Sequence, residues 1–295
     1  MPELPEVETV RRGLVRAMQG RRFAAVRLNR ADLRFPLPNG FADRLSGQRI
    51  EAIGRRAKYL VVALSGGESL IMHLGMSGRF TVVHQGGKAR SLGEMYGEAA
   101  GGAGGLHDHV VFVLDDGTRI VYTDPRRFGM MDLCPTGEVS SHRLTRRLGV
   151  EPLGKELSAR RLAVAMAARK APLKSLLVDQ RLIAGLGNIY ACEALFRAGL
   201  SPKRPAGTLA RNGRPDPRLA KLVLAIRAVL NDAIDAGGST LRDYADADGA
   251  SGAYQHRFSV YDREGQPCRR RGCRGTIRRI VQAGRSTFYC PRCQH

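Results

Sequence analysis

Four cysteines near the end of the chain constrain its fold more than any other feature. Cys268 and Cys273 are separated by four residues and Cys290 and Cys293 by two, with sixteen residues between the pairs. Thiolates at this spacing are typical of a tetrahedral zinc site, and the metal is expected to be structural because sulfur fills all four positions. Disulfides or free thiols are the alternative. The sequence between the pairs predicts a β-hairpin that turns at Ala283-Gly284.

The charge of the chain limits its partners. Lys and Arg number 48 against 27 acidic residues, which leaves a net charge of +21. This excess favours a polyanionic partner, and the spread of arginines along the chain favours nucleic acid over a membrane surface. Residues 268–295 include eight arginines and no acid, so this segment either contacts phosphate or is a solubilising basic tail. Trp is absent, which argues against an aromatic platform for stacking bases.

No segment of the sequence is typical of a membrane span or a secretory signal. Apolar runs stay short of the roughly 18–20 residues that cross a bilayer, and the N-terminus is acidic and amphipathic. We therefore expect a cytoplasmic protein, in which disulfides are rare.

The first half of the sequence predicts one helix followed by antiparallel strands. Residues 3–19 have helical spacing, with Pro5 in the first turn. Apolar runs flank the turn residues 65–68 and again 115–117, which is the pattern of β-hairpins. An antiparallel sandwich or a barrel is expected, with the Gly-rich stretch 85–105 as an irregular surface insertion.

Helices dominate the second half. We predict helices in SARRLAVAMAARK, PLKSLLVDQRLI, NIYACEALFRAG and DPRLAKLVLAIRAVLNDAIDAGG, a polar loop over 238–256 and a short strand in RFSVY. The turn AGLGN leads into a helix, so its backbone amides either bind an anion such as a DNA phosphate or only connect two helices. A dinucleotide-binding loop is excluded because it needs a preceding strand. Cys134 and Cys192 lie in apolar runs and are expected in the core.

The first ten residues, MPELPEVETV, combine a proline at position 2 with three glutamates. Taken alone they fit the start of a helix, with Glu3, Glu6 and Glu8 beside the positive end of its dipole. Glu8 is expected to be a solvated helix residue. Distant motifs change the interpretation of Pro2 and Glu3.

Together, the motifs resemble those of bacterial formamidopyrimidine-DNA glycosylase, nearly from end to end. The resemblance is carried by PELPEVE, KYL, HLGMSG, TDPRRFG, DQRLIAGLGNIYACE and a four-cysteine finger that ends in CPRCQ. It implies an α+β fold whose parts are an N-terminal helix with an antiparallel β-sandwich (1–135), a linker (136–150), a helix–two-turns–helix DNA-binding domain (151–257) and a β-hairpin zinc finger (258–295). The implied partner is double-stranded DNA with damaged bases, bound by a monomer in the bacterial nucleoid. The family removes 8-oxoguanine and ring-opened purines, and uses one structural zinc and no organic cofactor.

The resemblance implies catalytic groups at the start of the chain. In the family the initiator methionine is removed, so Pro2 becomes a terminal secondary amine that attacks C1′ of the damaged nucleotide and forms a Schiff base. An α-amine has a pKa of about 8, and the adjacent helix N-terminus favours its neutral form. Glu3 is then the acid that protonates the opening sugar, and Glu6 helps to order the site. Lys58 contacts DNA at the lesion and assists β-elimination, and Arg285 serves δ-elimination and phosphate binding.

The resemblance also implies a set of DNA contacts. A base inside a duplex is out of reach and must be flipped out, and Met76, Arg126 and Phe128 match the residues that the family inserts in its place. Met and Phe are apolar wedges, and Arg offers donors to the orphaned cytosine. Flanking glycines favour exposed tips over the alternative, core packing. Family contacts near the DNA backbone or lesion match His73, His107, Arg127, Lys170, Lys174 and Asn188, and 238–256 matches the loop that closes over the flipped base.

Two features depart from the family pattern. The first cysteine pair is C-x4-C where the family usually has C-x2-C, and the Gly-rich stretch precedes His107 as an insertion. His107-Asp108-His109 also allows a metal site, although no further ligand cluster accompanies it in the sequence.

Two alternative functions remain open from the sequence. A glycosylase of the endonuclease VIII type prefers oxidised pyrimidines, but that branch usually has Gly at the position of Leu4 and lacks the full Met-Arg-Phe set. A non-catalytic zinc-ribbon protein would sense damage without reacting with it, and the intact Pro2-Glu3 start argues against this alternative.

Overall fold

The chain divides into two units in the computed structural model, which describes residues 1–86, 89–92, 105–211, 214–239 and 252–295. The first unit consists of Met1–Arg146 with Ile234–Gln255, and the second of Arg147–Ala233 with His256–His295. Within the described ranges, no helix combines the length and apolar character that a membrane span needs.

The described part of the first unit contains two complete α-helices and nine strands. In chain order they are α1 (Leu4–Met18), β1 (Phe23–Leu28), α2 (Phe41–Leu45), β2 (Ile50–Arg56), β3 (Tyr59–Leu64), β4 (Glu68–His73), β5 (Arg79–Val83), β6 (Ala89–Leu92), β7 (Asp108–Leu114), β8 (Arg119–Thr123) and β9 (Met130–Pro135).

The strands form two antiparallel sheets, so the fold is a sandwich and not a barrel. One sheet has the order β2-β3-β4-β9 and the other β1-β7-β8-β5-β6. The predicted hairpins at 65–68 and 115–117 are confirmed as the β3–β4 and β7–β8 pairs. Alternate residues of β3, such as Leu60 and Val62, are fully buried and share one core with Phe80 and Phe112 of the other sheet. Burial of one face per sheet is what stabilises such a sandwich.

Helix α1 closes the same core. Val7, Val10 and Leu14 are buried in it, as their helical spacing predicts. Glu8 is also buried, and its carboxylate accepts hydrogen bonds from Arg11 at 2.7 Å and from Arg55 of β2 at 3.1 Å. The expectation of a solvated Glu8 was therefore wrong, because this carboxylate joins α1 to the first sheet.

Two loops carry the chain from one sheet to the other, and we call them the crossover loops. Residues 74–78 connect β4 to β5, and residues 124–129 connect β8 to β9. Because β4 pairs with β9 and β5 with β8, the two crossover loops run side by side. A Cβ on Gly75 would lie 2.4 Å from the backbone of Phe128, so the loops touch where only glycine fits.

Part of the predicted surface insertion is a regular strand. Residues 89–92 pair antiparallel with β5, with Leu92 opposite Phe80. An irregular conformation was therefore the wrong prediction for these four residues. Residues 87–88 and 93–104 lie outside the described residues.

The second unit contains helices, one short strand pair and a C-terminal hairpin. Its elements are α3 (Ala159–Met166), α4 (Leu173–Leu177), α5 (Asn188–Ala198), β10 (Ala210–Arg211), β11 (Arg214–Pro215), α6 (Pro217–Asp235), β12 (Arg278–Gln282) and β13 (Arg285–Tyr289). The last two residues of α6 belong to the first unit. Helix α5 ends at Gly199, whose φ of 74° is the left-handed C-terminal signal that the sequence predicted.

Two segments of the second unit differ from their predicted structure. Helix α4 covers only five residues of PLKSLLVDQRLI, because the Gln180 side chain follows it and bonds the Val178 and Leu186 carbonyls and the Gly185 amide. RFSVY is not a strand. Its backbone N–H groups at Ser259, Val260 and Tyr261 donate instead to the buried carboxylate of Glu193 on α5, at 2.8–2.9 Å.

The C-terminal hairpin is confirmed, with its turn at the predicted residues. Gln282 pairs with Arg285, and Ala283 and Gly284 both have positive φ, 48° and 72°. Two consecutive residues of this kind form the tight turn that suits the twist of a hairpin. On its inner side, Ile277 and Phe288 pack with Cys192 and Phe196 of α5.

Candidate functional site

The start of α1 presents its polar groups in a buried setting. Pro2, Glu3 and Glu6 are all buried, and the Glu3 backbone N–H donates to Oε2 of Glu6 at 2.8 Å. A carboxylate at this position satisfies a free amide of the first helical turn. The sequence motif thus brings one amine and two carboxylates to a single helix end.

The terminal amine beside these carboxylates is shifted toward its neutral form. Burial lowers the pKa of the α-amine of Met1 below its usual value of 8.0; Glu3 and Glu6 oppose this shift, and Lys58 and Arg126 add to it. Lys58 and Arg126, both distant in sequence, thereby act on the same amine as the neighbouring Glu3 and Glu6. A neutral amine is the form that can act as a nucleophile.

Lys58 reaches this region from the turn between β2 and β3. The turn consists of Ala57, with φ of 53°, and Lys58, which is 4% exposed. The ordinary expectation for a lysine in a hairpin turn is a solvated side chain. Here the turn directs the ammonium into the protein, which is unusual enough to indicate a function.

His73, at the end of β4, is held neutral. Burial lowers its pKa from 6.5 to about 3, with Lys58 and Arg34 contributing. Its Nδ1 accepts the N–H of Gly75 at 2.9 Å, so the remaining proton lies on Nε2. His73 therefore offers a neutral N–H donor and also fixes the start of the first crossover loop.

The three predicted insertion residues lie on the crossover loops. Met76 is half-buried on the first, whereas Arg126 and Phe128 are exposed on the second. The Arg126 guanidinium lies 4.9 Å from the centre of the Phe128 ring, a cation–π arrangement. The exposed tip is thus confirmed for Phe128, whereas it was wrong for Met76, which is half-buried; Arg126 and Arg127, with φ of 56° at Arg127, are exposed.

A buried carboxylate joins the two crossover loops. Asp124 has no exposed surface, and its oxygens accept from the Ser77 hydroxyl at 2.6 Å, the Gly129 N–H at 2.7 Å and the Tyr122 hydroxyl at 3.3 Å. Ser77 in turn accepts the N–H of Arg126 at 3.2 Å.

The His107-Asp108-His109 stretch bonds the backbone of Asp124 on the same loop. The carbonyl of half-buried His107 accepts the Asp124 N–H at 3.0 Å, and Nε2 of His109 lies 2.9 Å from the Asp124 carbonyl oxygen. Among the described residues, metal-ligating side chains gather in groups of three or more only at the four cysteines. Within the described residues, His107 and His109 therefore belong to no such metal-ligating group.

Glu6 also binds the stem of the loop predicted over 238–256. Its Oε1 accepts both the N–H and the hydroxyl of Ser239, at 2.9 and 3.0 Å. Ser239 pairs with Ala253 across the stem. The segment 240–251, with the predicted contributors Arg242 and Tyr244, lies outside the described residues.

In the second unit, the predicted DNA contacts differ in exposure. Lys170 is exposed, whereas Lys174 is 1% exposed and donates to Asn188 Oδ1 and, at 2.8 Å, to the Thr287 hydroxyl of β13. Asn188 donates to the Ser286 carbonyl at 2.9 Å. Both side chains therefore tie α4 and α5 to the hairpin.

Arg285 lies at the first position of β13 and is exposed. It lines a cavity of ≈ 290 Å³ together with Lys174, Ser175, Asp179 and Gln282. This placement leaves the guanidinium available to a phosphate.

The four cysteines fit one zinc ion. Their Sγ atoms lie within 4.8 Å of one another, and those of Cys268 and Cys293, and of Cys273 and Cys290, are 3.7 Å apart. A tetrahedron with Zn–S bonds of about 2.3 Å places its sulfurs about 3.8 Å apart. Backbone N–H groups of Arg270 and Gly275 point at the sulfurs of the C-x4-C pair. The wider first pair thus still forms a four-sulfur site, and its zinc is structural.

Three functional candidates have no counterpart among the predicted residues. Asp124 stands inside TDPRRFG, directly before a proline, but neither its burial nor its partner Ser77 is visible in the motif. Glu193 and Ser239 act through contacts 66 and 233 residues away in sequence. Local patterns carry no signal for such pairs.

Comparison with known proteins agrees with this architecture. The N-terminal domain of formamidopyrimidine-DNA glycosylase matches residues 1–131, the H2TH domain of the same glycosylase matches 148–245, and a zinc finger found in FPG and IleRS matches 265–295.

Full-length relatives extend the agreement. The chain is 61% identical over 295 residues to a formamidopyrimidine-DNA glycosylase of Methylobacterium sp. (strain 4-46), covering 100% of this chain and 99% of the relative. It is 58% identical to that of Beijerinckia indica subsp. indica, with 100% of both chains covered.

Solved structures agree as well. A point mutant of Lactococcus lactis FPG in complex with Fapy-dG containing DNA matches with a TM-score of 0.85 at 30% identity over 100% of both chains. The MutM (FPG) protein of Thermus thermophilus matches at 0.80 and 40%, over 99% of this chain and 98% of the other. The chain belongs to the formamidopyrimidine-DNA glycosylase family of DNA-repair enzymes.

Proposed function

We propose that this enzyme binds duplex DNA at a damaged base, excises oxidised purines such as 8-oxoguanine and formamidopyrimidines, and then cleaves the strand. The observation that carries the proposal is the buried helix start, where Pro2 adjoins buried Glu3 and Glu6 and where burial lowers the pKa of the α-amine of Met1. The solved relatives in complex with Fapy-dG DNA and with abasic-site DNA support the substrate class.

The first step is nucleophilic attack by Pro2. After removal of Met1, the lone pair of the proline nitrogen forms a bond to C1′, and the glycosidic C1′–N9 bond breaks with its electron pair on the departing base, which takes up a proton. Proline is a secondary amine and still has one hydrogen to lose, so it can form an iminium. At the same helix end, burial lowers the pKa of the α-amine of Met1, and we expect the same burial to favour the neutral form of the Pro2 amine.

Glu3 supplies the proton for sugar opening. As the C1′=N bond forms, the C1′–O4′ bond breaks, and the carboxylic acid of Glu3 protonates O4′. Glu6 holds the Glu3 backbone through the bond at 2.8 Å and so positions the acid. Pro2, Glu3 and Glu6 thus act as one group.

Strand cleavage follows by two eliminations from the iminium. Loss of a C2′ proton expels the 3′ phosphate by breaking C3′–O3′, and a further elimination breaks C5′–O5′ and expels the 5′ phosphate. We assign Lys58 to the lesion contact that assists the first elimination and Arg285 to phosphate binding in the second. Water then releases the sugar remnant from Pro2.

The proposed wedge comprises Met76, Arg126 and Phe128. Met76 and Phe128 fill the space that the extruded base leaves, and Arg126 donates to the orphaned cytosine. The cation–π contact of Arg126 with Phe128 orders two of the three side chains before DNA binds.

Positive and neutral donors contact the DNA backbone in this proposal. Phosphate contacts supply most of the affinity and make it fall with salt. The residues so assigned are His73, His107, Arg127, Lys170 and Asn188. Lys174, whose ammonium is buried, acts on this surface by holding Asn188 and Thr287.

The domain assignment of 1–135, 151–257 and 258–295 and a monomeric state complete the proposal. One chain has every residue that the steps above need, so no second copy is required. Sedimentation of the protein on a short lesion duplex at 1:1 stoichiometry tests this.

The chemical proposal is tested by reduction with borohydride. Hydride adds to the iminium carbon and leaves a stable amine that links protein to DNA. We expect this adduct with 8-oxoguanine opposite cytosine, and we expect it to vanish when Met1 is retained, because the proline nitrogen is then an amide. Pro2→Gly keeps an N-terminal amine, now primary, so only partial loss is expected. Strong trapping with Met1 in place refutes the assignment of Pro2.

Substrate class is tested by base release. The Met-Arg-Phe set and Leu4 favour oxidised purines over the pyrimidines preferred by endonuclease VIII-type enzymes. Release of 8-oxoguanine opposite cytosine should exceed that of thymine glycol. The opposite preference contradicts the proposed substrate.

A further inference from the structure

We infer that Asp124 is a positioning residue that locks the two crossover loops together, so that Met76, Arg126 and Phe128 meet the duplex as one rigid wedge. The inference rests on the base extrusion proposed above. Asp124 does not reach the surface, so its action is through the loops that carry the wedge side chains.

The carboxylate receives a donor from each side. On Oδ1 the Ser77 hydroxyl, from the loop that carries Met76, lies at 2.6 Å. On Oδ2 the Gly129 N–H, from the end of the loop that carries Phe128, lies at 2.7 Å. One side chain thus spans the two loops, and Ser77 closes the circuit by accepting the Arg126 N–H.

Close packing removes the remaining freedom of the loops. A Cβ on Gly129 would lie 1.8 Å from the Tyr122 hydroxyl oxygen, and one on Gly78 would lie 2.4 Å from the same atom. The phenol thus fits between the backbones of both crossover loops while it donates to Asp124. Burial, together with the charge of Asp124, raises the pKa of Tyr122 well above its usual value of 10.0, so the hydroxyl stays a donor at any working pH.

The energetics explain why a carboxylate serves here. A buried charge is tolerated only when hydrogen bonds replace its water, and charge-assisted bonds are about twice as strong as neutral ones. Ser77 and Gly129 donate from the two loops and Tyr122 from β8, so the three bonds form together only when both loops adopt the observed conformation. A wedge ordered in advance loses less entropy when it enters DNA than one ordered on contact.

The test compares substrates that do and do not require extrusion. Ser77→Ala deletes the link between the loops and keeps Asp124, and Asp124→Ala removes the centre of the network. Asp124→Asn, which retains one acceptor oxygen and the shape, serves as the conservative rescue. Ser69→Ala is the control, since Ser69 is a serine of the first unit whose hydroxyl also makes one side-chain hydrogen bond, to Thr136, away from the crossover loops.

We expect Ser77→Ala to excise 8-oxoguanine opposite cytosine about tenfold more slowly than the unmodified chain, which is the loss that one hydrogen bond to a charged group represents. Borohydride trapping on an abasic site in single-stranded DNA, where no base is extruded, should change less than about twofold, and Ser69→Ala should leave both rates unchanged. Asp124→Ala should slow excision of the paired lesion more than Ser77→Ala does. Asp124→Asn should recover part of that rate. Equal losses of Ser77→Ala on both substrates, or no loss on the paired lesion, overturn the inference.

A measurement without DNA separates this inference from the proposed chemistry. Hydrogen exchange at the amides of Arg126 and Gly129 should be faster in Ser77→Ala and unchanged in Ser69→Ala. Unchanged exchange in Ser77→Ala refutes the lock even if trapping succeeds. If the unmodified chain forms no borohydride adduct, the chemistry proposed at Pro2 is refuted. The hydrogen-exchange result still tests the lock by Asp124 on its own.

Discussion

The two units hold their functional segments by different means. In the first unit, the helix start and the crossover loops are held by carboxylates, Glu6 and Asp124, each shared among several hydroxyl and backbone N–H donors. In the second unit, the hairpin that carries Arg285 depends on a four-sulfur zinc site, and Asn188 and Lys174 attach it to helices α5 and α4.

This difference predicts how the stability of each unit responds when one of its interactions is removed. Hydrogen bonds spread over many partners are lost one at a time, so the first unit should weaken in small steps. A metal site that four side chains must complete together is lost as a whole, so the hairpin should respond in one step.

Zinc removal should have the largest effect on stability, and it should unfold the hairpin of the second unit while the first unit stays folded. Structural zinc in small fingers contributes apparent free energies of about 10–16 kcal/mol, more than a short hairpin can replace. After chelation, or in Cys290→Ser, we expect the amides of β12 and β13 to lose protection from hydrogen exchange, while those of β3 and β4 keep theirs. Cys134→Ser should retain one zinc per chain. Protected β12 and β13 amides in zinc-free protein would contradict this account.

Glu193→Ala should have the next largest effect on stability. It leaves three N–H groups of residues 259–261 without their acceptor, and each buried orphaned donor costs about 1–3 kcal/mol. We expect the free energy of unfolding in urea to fall by about 3 kcal/mol or more. Glu156→Ala, an exposed glutamate of the same unit, should stay within about 0.5 kcal/mol. Similar values for the two variants would show that the clamp on RFSVY does not matter.

The pH dependence of stability should reveal His73 in the first unit. Burial lowers its pKa from 6.5 to about 3, so the folded chain takes up this proton at lower pH than the unfolded chain. The resulting stability is present above pH 6.5 and is lost as pH falls toward 3. Between pH 7 and pH 5 the loss should reach up to about 2 kcal/mol.

His73→Asn keeps an acceptor for Gly75 and should remove this part of the pH dependence in urea unfolding. The exposed residue His84, changed to Asn, is the control and should leave the dependence intact. If His73→Asn loses stability between pH 7 and pH 5 as steeply as the unmodified chain, another group is responsible.

Glu8→Gln should have the smallest effect. Its carboxylate bonds Arg11 and Arg55 in a partly buried setting, so we expect a loss of about 1 kcal/mol in thermal or urea unfolding. The exposed pair of Glu51 with Arg49 is the comparison, and Glu51→Gln should cost less than about 0.5 kcal/mol. Equal costs would indicate that Glu8 contributes no more than a surface ion pair.

Much of the fold could be predicted because its signals are local. The hairpin turns at 65–68, 115–117 and 283–284 follow from glycine and the residues beside it, and the zinc site follows from cysteine spacing. The failures share a cause. RFSVY has the alternation of a strand, but a carboxylate from α5, distant in sequence, takes its N–H groups.

The candidate site was predictable only in part for the same reason. The motif MPELPEVETV and its resemblance to the family point to Pro2, Glu3 and Glu6, all of which lie at one helix end. The partner of Glu6, Ser239, is 233 residues away, and no local pattern connects them. The charge of a side chain also misleads a prediction of exposure. Lys174 is a basic residue of the kind expected at a DNA-binding surface, yet it is buried like a core residue.

The distance along the chain between the two crossover loops has a consequence for folding kinetics. Ser77 and Asp124 are 47 residues apart, on loops that each join a strand of one sheet to a strand of the other. Contacts of such high sequence separation form slowly, since the entropy of loop closure is lost before any contact compensates for it. We therefore expect the wedge to form after the local hairpins β3–β4 and β7–β8, so that a chain with these hairpins alone cannot yet unstack DNA.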